Sequence, residues 1–188
     1  AGVVIDAMLG LNYETKIISL AAEKEVPPEC EVVVIAGPKE DFFDFELEML
    51  AAHVKSGKHL MLTLSFNNQQ TPKLAKHMQR YGIELGSDLV IEFSDQHLIP
   101  QWSETTFRMV QNAYSDHKII TEHNRFTVFR IAHNVNKIES AIGVQVSELM
   151  SSSSKSISGS IADLNAQLGK PGPISVMAVA EIIDADLI

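Results

Sequence analysis

The amino-acid sequence predicts an α/β protein, a three-layer αβα sandwich built on a mainly parallel sheet. Residues 32–35 form a continuous β-branched run, which is typical of a strand covered on both faces. Residues 58–65 carry a second apolar run, and a helix-like stretch lies between the two runs. A further helix and strand follow, and the order strand, helix, strand, helix, strand at this spacing indicates right-handed parallel crossovers.

Turn and capping residues divide the first part of the chain into short elements. Residues 3–9 predict a short helix, and residues 15–20 predict a strand. Asp41 is suited to the N-cap of the helix between the two apolar runs, because its carboxylate accepts a hydrogen bond from a first-turn N–H. Gly57 is suited to the position just after that helix, where a positive φ is favoured.

The pattern continues with Thr71 and Pro72, which predict the start of a third helix, and with a short strand at residues 89–93. Residues 100–172 are less regular and resemble an insertion. In this region residues 103–113 predict a helix, and the serine-rich residues 151–160 predict a flexible loop. Residues 174–182 predict a final buried strand of the same sheet.

Length and charge restrict the class of protein. A chain of 188 residues that is 45% hydrophobic predicts a single folded domain spanning residues 1–188. Its net charge of −9 argues against nucleic acid or an anionic membrane surface as the main partner. The chain opens at Ala1 inside a helix-like pattern, so we expect it to be a processed or excised fragment of a larger protein.

The chemistry expected of an enzyme is missing from the sequence pattern. Cys30 precedes a strand and does not occupy a nucleophile elbow, and no phosphate-binding glycine motif follows a strand. Ser65 is the one plausible nucleophile. The densest group of metal-ligating residue types is Asp116, His117, Glu122 and His123, which a solvated turn explains better than a metal site. We therefore predict no enzyme activity, no cofactor and no metal.

A small-ligand site is predicted at the carboxyl ends of the two apolar strands, where open parallel sheets bind ligands. The residues concerned are Gly37, Pro38, Lys39, Ser65, Asn67 and Asn68. The amide groups suit a saccharide or another small polar ligand. The alternative is that these residues only cap and turn the chain.

An interface is predicted on the second helix. Phe42, Phe45 and Met49 fall on the face opposite its apolar core stripe, where they predict contact with a partner protein or a second copy of the chain. The alternative is a helix that is buried on two sides.

A family resemblance runs along most of the chain. Residues 26–39, VPPECEVVVIAGPK, resemble a segment of the gliding-motility-type auxiliary components of ABC transporters. Residues 54–62, VKSGKHLML, and 81–91, YGIELGSDLVI, are similar to later segments of that family in the same order. The closing Gly172-Pro173 before an apolar strand is similar as well. Ser56 departs from the family pattern, which has a glycine there.

The resemblance implies a flavodoxin-like or class I glutamine-amidotransferase-like sandwich without the catalytic cysteine. It also implies a periplasmic or other extracytoplasmic location, with inner-membrane anchors outside this chain, and ABC permease and ATPase components as partners. We therefore expect a non-enzymatic auxiliary component that binds a protein or small ligand. The alternatives are a degenerate amidotransferase-like or hydrolytic enzyme using Ser65, and a structural homo-oligomerisation domain.

Overall fold

The computed structural model describes residues 2–64, 70–94, 109–111, 115–122, 127–129, 131–139, 142–160, 162–163 and 168–187. Three α-helices and ten β-strands occur in these ranges. The helices are α1, Gly2–Gly10; α2, Asp44–Lys55; and α3, Pro72–Gln79. The strands are β1, Val32–Ala36; β2, His59–Thr63; β3, Ile83–Ile91; β4, Met109–Gln111; β5, Thr127–Phe129; β6, His133–Lys137; β7, Val144–Ser151; β8, Ile157–Gly159; β9, Lys170–Pro171; and β10, Ser175–Ile182.

The chain divides into two compact units, residues 1–73 and 74–188. In the first unit β1 and β2 form a parallel pair, with Val33 opposite Leu60 and Ile35 opposite Leu62. The predicted parallel crossover from β1 through α2 to β2 is confirmed. In the second unit every described strand pairing is antiparallel.

The predicted fold class is therefore wrong. A mainly parallel αβα sandwich, flavodoxin-like or amidotransferase-like, requires residues 32–35, 60–64 and 176–179 in one sheet. The structure instead places β1 and β2 in a two-stranded sheet and β10 in an antiparallel pair with β7. A further antiparallel sheet has the order β6-β3-β8-β9. The protein is mainly antiparallel β structure with one βαβ unit.

The β1–β2 sheet also differs from the prediction of burial on both faces. Val33 and Ile35 are buried, whereas Val32 and Val34 are 50% and 41% exposed. In β2, Met61 is 47% exposed and lies opposite Val34 in the pairing register. Because paired residues in a parallel ladder share a face, the sheet has one packed face and one exposed apolar face.

Helix α2 packs against β2 in the first unit. Leu47, Leu50 and His53 are its buried residues, and Leu50 has no exposed surface. Ser56 is the C-cap and Gly57 follows with φ +86°, so the predicted role of Gly57 is confirmed. The helix begins at Asp44 with Phe43 as its N-cap, so the predicted N-cap at Asp41 is wrong.

Asp41 serves a different helix. Its carboxylate Oδ2 accepts a 2.8 Å hydrogen bond from the backbone N–H of Lys73, the second residue of α3. First-turn N–H groups have no partner within their own helix, so this carboxylate satisfies one of them. Helix α3 starts at Pro72, as predicted, because a proline at the first helical position lacks only an N–H that the helix would not use.

The core of the second unit lies on its antiparallel sheets. Leu89 and Ile91 of β3 pack with Ile157 of β8. Around β7, a second cluster joins Leu149 and Met150 with Ile120 and, from β10, with Val176, Met177 and Val179. Residues 174–182 were predicted as a helix-covered parallel strand, but they form half of an antiparallel ladder.

Three other predicted elements differ from the structure. Residues 15–19 have no regular secondary structure. Residues 109–111, predicted as part of a helix, form β4, and the remainder of the predicted helix at 103–108 and 112–113 lies outside the described residues. The serine-rich residues 151–160 are not a flexible loop but contain the end of β7, a tight turn and β8.

Candidate protein-binding surface

The carboxyl ends of β1 and β2 meet as predicted, since Ala36 pairs with Thr63. Gly37 takes φ +57° and its N–H donates a 2.9 Å hydrogen bond to the Thr63 carbonyl oxygen. Gly37 therefore closes the end of the ladder. Lys39 is exposed and Pro38 is half-buried. The other predicted ligand residues, Ser65, Asn67 and Asn68, lie outside the described residues.

The predicted interface residues begin a surface at the start of α2. Phe45 is 50% exposed, whereas Phe42 and Met49 are half-buried. Phe43 is 63% exposed and stacks on Phe45, with ring centroids 5.8 Å apart and ring planes 10° from parallel. We call Phe43 and Phe45 the aromatic platform.

The position of Phe43 at the start of α2 explains why this residue, and not Phe42, stacks on Phe45. Phe43 is the N-cap residue and has an extended backbone, φ −72° and ψ 154°, so it lies at the bend between the loop and the helix. Its N–H donates a 2.8 Å hydrogen bond to Glu46 Oε2, which is one half of a capping box. Phe42 precedes the N-cap, so the helical periodicity used to place it on a face of α2 does not apply to it.

The loop that carries the platform is fixed by Lys73. Besides the backbone bond to Asp41, the Lys73 ammonium donates a 2.8 Å hydrogen bond to Asp44 Oδ1. The hydrogen bond that Lys73 donates to Asp44 raises the pKa of Lys73. Both sides of Phe43 are thus held by Lys73, through Asp41 and Asp44.

The surroundings of the platform are acidic. Residues 39–48 contain five carboxylates and one lysine, and Glu40, Asp44 and Glu48 are exposed. Glu48 is three residues after Phe45 on α2, so the two side chains are neighbours on the helix surface. The surface therefore combines two exposed phenylalanine rings with carboxylates that neighbour them in the sequence.

Of the group of metal-ligating residue types noted in the sequence, the structure describes Asp116, His117 and Glu122. In the ranges that the structure describes, no group of three or more histidine, cysteine, aspartate or glutamate residues is arranged to hold a metal ion. His117 Nε2 instead lies 3.3 Å from Glu181 Oε2, and the Lys118 ammonium lies 2.8 Å from Glu181 Oε1. Lys118 and then His117 lower the pKa of Glu181. These contacts attach the 115–122 loop to β10. His123 lies outside the described residues.

A buried carboxylate that the sequence reading missed organises the serine-rich turn. Glu92 is 2% exposed, and its oxygens accept hydrogen bonds from the Ser94 N–H, the Ser153 N–H and the Ser153 hydroxyl at 2.9, 2.8 and 2.7 Å. The Ser152 and Ser156 hydroxyls are 2.6 Å apart. The Ser156 hydroxyl donates to the Ser153 carbonyl oxygen of the turn, and the Ser152 hydroxyl accepts a hydrogen bond from the Ile174 N–H. Hydrogen bonds to this buried carboxylate hold Ser153 in place. They explain why the serine-rich segment forms an ordered turn.

Comparisons with known proteins support the fold and not a function. No protein-family model matches the sequence, and no curated protein matches it. Among solved structures, the chain is similar to a structure described as "mmIFT52 N-terminal domain", with a TM-score of 0.60 and 14% sequence identity over 89% of this chain and 73% of the other. This likeness shows the fold alone, and it replaces the flavodoxin-like expectation. In the described part of the chain, no helix is both long enough and apolar enough to cross a membrane.

Proposed function

We propose that this chain is a non-catalytic protein-binding module and that it contacts its partner through the aromatic platform at the start of α2. The observation that carries the proposal is the pair of stacked, half-exposed phenylalanine rings. Exposed aromatic side chains held in a fixed position are typical of the central residues of protein interfaces, because they bury much apolar area with little loss of conformational entropy.

The wider role that we propose is that of an auxiliary component in an ABC-type transport system. Its support is the resemblance of residues 26–39, 54–62 and 81–91 to the auxiliary family of gliding-motility type. On this proposal the domain works outside the cytoplasm, beside the membrane, and the partner is a permease or ATPase component or another subunit associated with them.

The test replaces the platform in the full-length protein with Phe43→Ser and Phe45→Ser and measures co-purification of the transporter components. A matched control replaces Leu11 and Ile17 with serine. These residues belong to the same unit and are 70% and 86% exposed, so equal apolar surface is removed elsewhere. We expect the platform variant to lose the partner and the control to keep it.

Two results would contradict the proposal. Equal co-purification of the transporter components by the parent and the platform variant would show that the rings are not the contact. Absence of permease and ATPase components from the parent's own complexes would remove the proposed transport role. Thermal unfolding of both variants accompanies the test, so that a loss of folding is recognised.

A further inference from the structure

From the chemistry around the rings, we infer that the aromatic platform binds a basic amphipathic segment, in which an apolar stripe is flanked by lysine or arginine residues. This inference rests on the proposed protein-binding function and specifies its partner. The apolar stripe would cover Phe43 and Phe45, and the basic side chains would lie over the carboxylates at the edge of the platform.

The first support is charge complementarity. The platform segment, residues 39–48, has five carboxylates against the single cation of Lys39. Lys73 also contacts this segment, and its ammonium is paired with Asp44 at 2.8 Å. The edge of the platform is therefore negative, and a cationic partner gains both attraction and faster association.

The second support is the position of the charges relative to the rings. Glu40 is three residues before Phe43, and Glu48 is three residues after Phe45 along the platform segment. Both carboxylates are exposed, and the rings between them in the sequence are 63% and 50% exposed. Glu48 therefore lies beside Phe45 on α2, and Glu40 precedes Phe43 in the chain, which suits basic residues on both sides of an apolar stripe.

The same charges argue against two other occupants. A second copy of the chain would bring a platform of the same sign against this one, in a protein whose net charge is −9. An anionic lipid surface would be repelled for the same reason. Self-association and vesicle binding are therefore outcomes of the test that count against the inference.

The experiment measures binding of the full chain to two fluorescent peptides of about 18 residues, one of leucine and lysine at helical spacing and one with glutamate in place of each lysine. We expect the lysine peptide to bind and the glutamate peptide not to bind. Phe43→Ser with Phe45→Ser should weaken the lysine complex by at least about tenfold. Raising the salt from about 0.05 M to about 0.3 M should also weaken it.

Charge variants separate local attraction from the overall charge of the protein. Glu40→Lys with Glu48→Lys should weaken the lysine complex by roughly five- to tenfold and reduce its salt dependence. Glu139→Lys with Asp186→Lys makes the same change in net charge at exposed positions of the second unit and should leave the affinity nearly unchanged. Equal effects of the two charge variants would overturn the inference.

The remaining outcomes are also decisive. Equal binding of both peptides, with loss in the phenylalanine variant, would overturn the basic partner and leave the protein-binding function intact. Binding of neither peptide, dimerisation through the platform in sedimentation, or binding to vesicles containing phosphatidylserine that the phenylalanine variant loses would overturn the inference as well. Failure of the proposed function is recognised separately, by the co-purification of the full-length parent and its platform variant.

Discussion

At the scale of single residues, Gly86 shows how a side chain from a neighbouring strand restricts which residue a position can hold. The β3–β6 register shifts between Leu85 and Leu89, and the side chain of Asn134 fills the irregularity. Its Oδ1 accepts a 3.0 Å hydrogen bond from the Asp88 N–H. A Cβ on Gly86 would collide with the Asn134 amide group. Glycine is therefore required here for close approach of a side chain.

The Gly86–Asn134 contact predicts strong energetic coupling. Gly86→Ala should lower the free energy of unfolding by about 1–3 kcal/mol, because the added methyl overpacks the site. Asn134→Ala alone should cost about 1 kcal/mol through the lost hydrogen bond. In the double variant, most of the Gly86→Ala penalty should disappear, as measured by chemical denaturation of all four proteins. Additive effects of the two substitutions would show that the two side chains do not compete for the same space.

His53 is the residue at which burial predicts a pH effect. Its Nε2 lies 3.2 Å from the His59 carbonyl oxygen, and the residue is buried on the packed face of α2. Burial lowers the pKa of His53 below its ordinary value of 6.5, and the positive charge of Lys58 lowers it further. The unfolded chain therefore takes up a proton at this position more readily than the folded chain.

The sign of the His53 effect follows from that difference. The stability contributed by neutral His53 is present above its unfolded pKa of 6.5 and is lost as the pH falls below it. His53→Gln keeps a donor for the carbonyl and removes the titration. Denaturation from pH 8 to about pH 5 should show a shallower loss of stability in the variant than in the parent. A steeper loss, or identical slopes, would contradict a buried neutral imidazole.

At the scale of elements, the sequence pattern identified β1 and β2 but not their environment. A run of four β-branched residues has no polar member to mark an exposed face, so it was interpreted as a strand covered on both sides. The structure shows alternation, with Val33 and Ile35 inside and Val32 and Val34 exposed. The local pattern determined strand formation, whereas exposure depends on what else packs on the sheet, which the run does not encode.

One-sided burial of β1 predicts opposite outcomes for two neighbouring substitutions. Val33→Thr puts a hydroxyl into the packed face and should lower the free energy of unfolding by about 1–3 kcal/mol. Val34→Thr makes the same chemical change on the exposed face and should change it by less than about 0.5 kcal/mol. Thermal or chemical denaturation measures both. Equal losses would mean that both faces of β1 are buried.

The antiparallel ladders were predicted wrongly, because their paired strands lie far apart in the chain. Residues 144–151 and 175–182 pair antiparallel although β8 and β9 lie between them in the chain, so the pairing depends on contacts between distant residues. Apolar content marked 174–182 as a strand but not the direction of its neighbour. The serine-rich turn was likewise interpreted from composition, whereas its order comes from Glu92, about sixty residues earlier in the chain.

At the scale of the whole molecule, the three helices predicted in the first eighty residues and one parallel crossover are present, whereas the predicted architecture is not. Short-range signals such as Pro72 and Gly57 located helix ends correctly, because capping depends on nearby residues. The mainly antiparallel architecture of the second unit could not be predicted from such short-range signals, because it depends on pairing between strands that are distant in the chain. The interface predicted at Phe42, Phe45 and Met49 stays a prediction, and the stacking of Phe43 on Phe45 follows from where α2 begins, which the sequence pattern did not locate.

The proposed function of the molecule depends on the aromatic platform being the contact with a partner. Its most direct test is site-specific photo-crosslinking in native membranes, with a benzoylphenylalanine in place of Phe45 in the full-length protein and, in a matched control, in place of Ile17. We predict a crosslinked transporter subunit from position 45 and none from position 17. The same crosslink from both positions, or crosslinks only to a second copy of the chain, would contradict it.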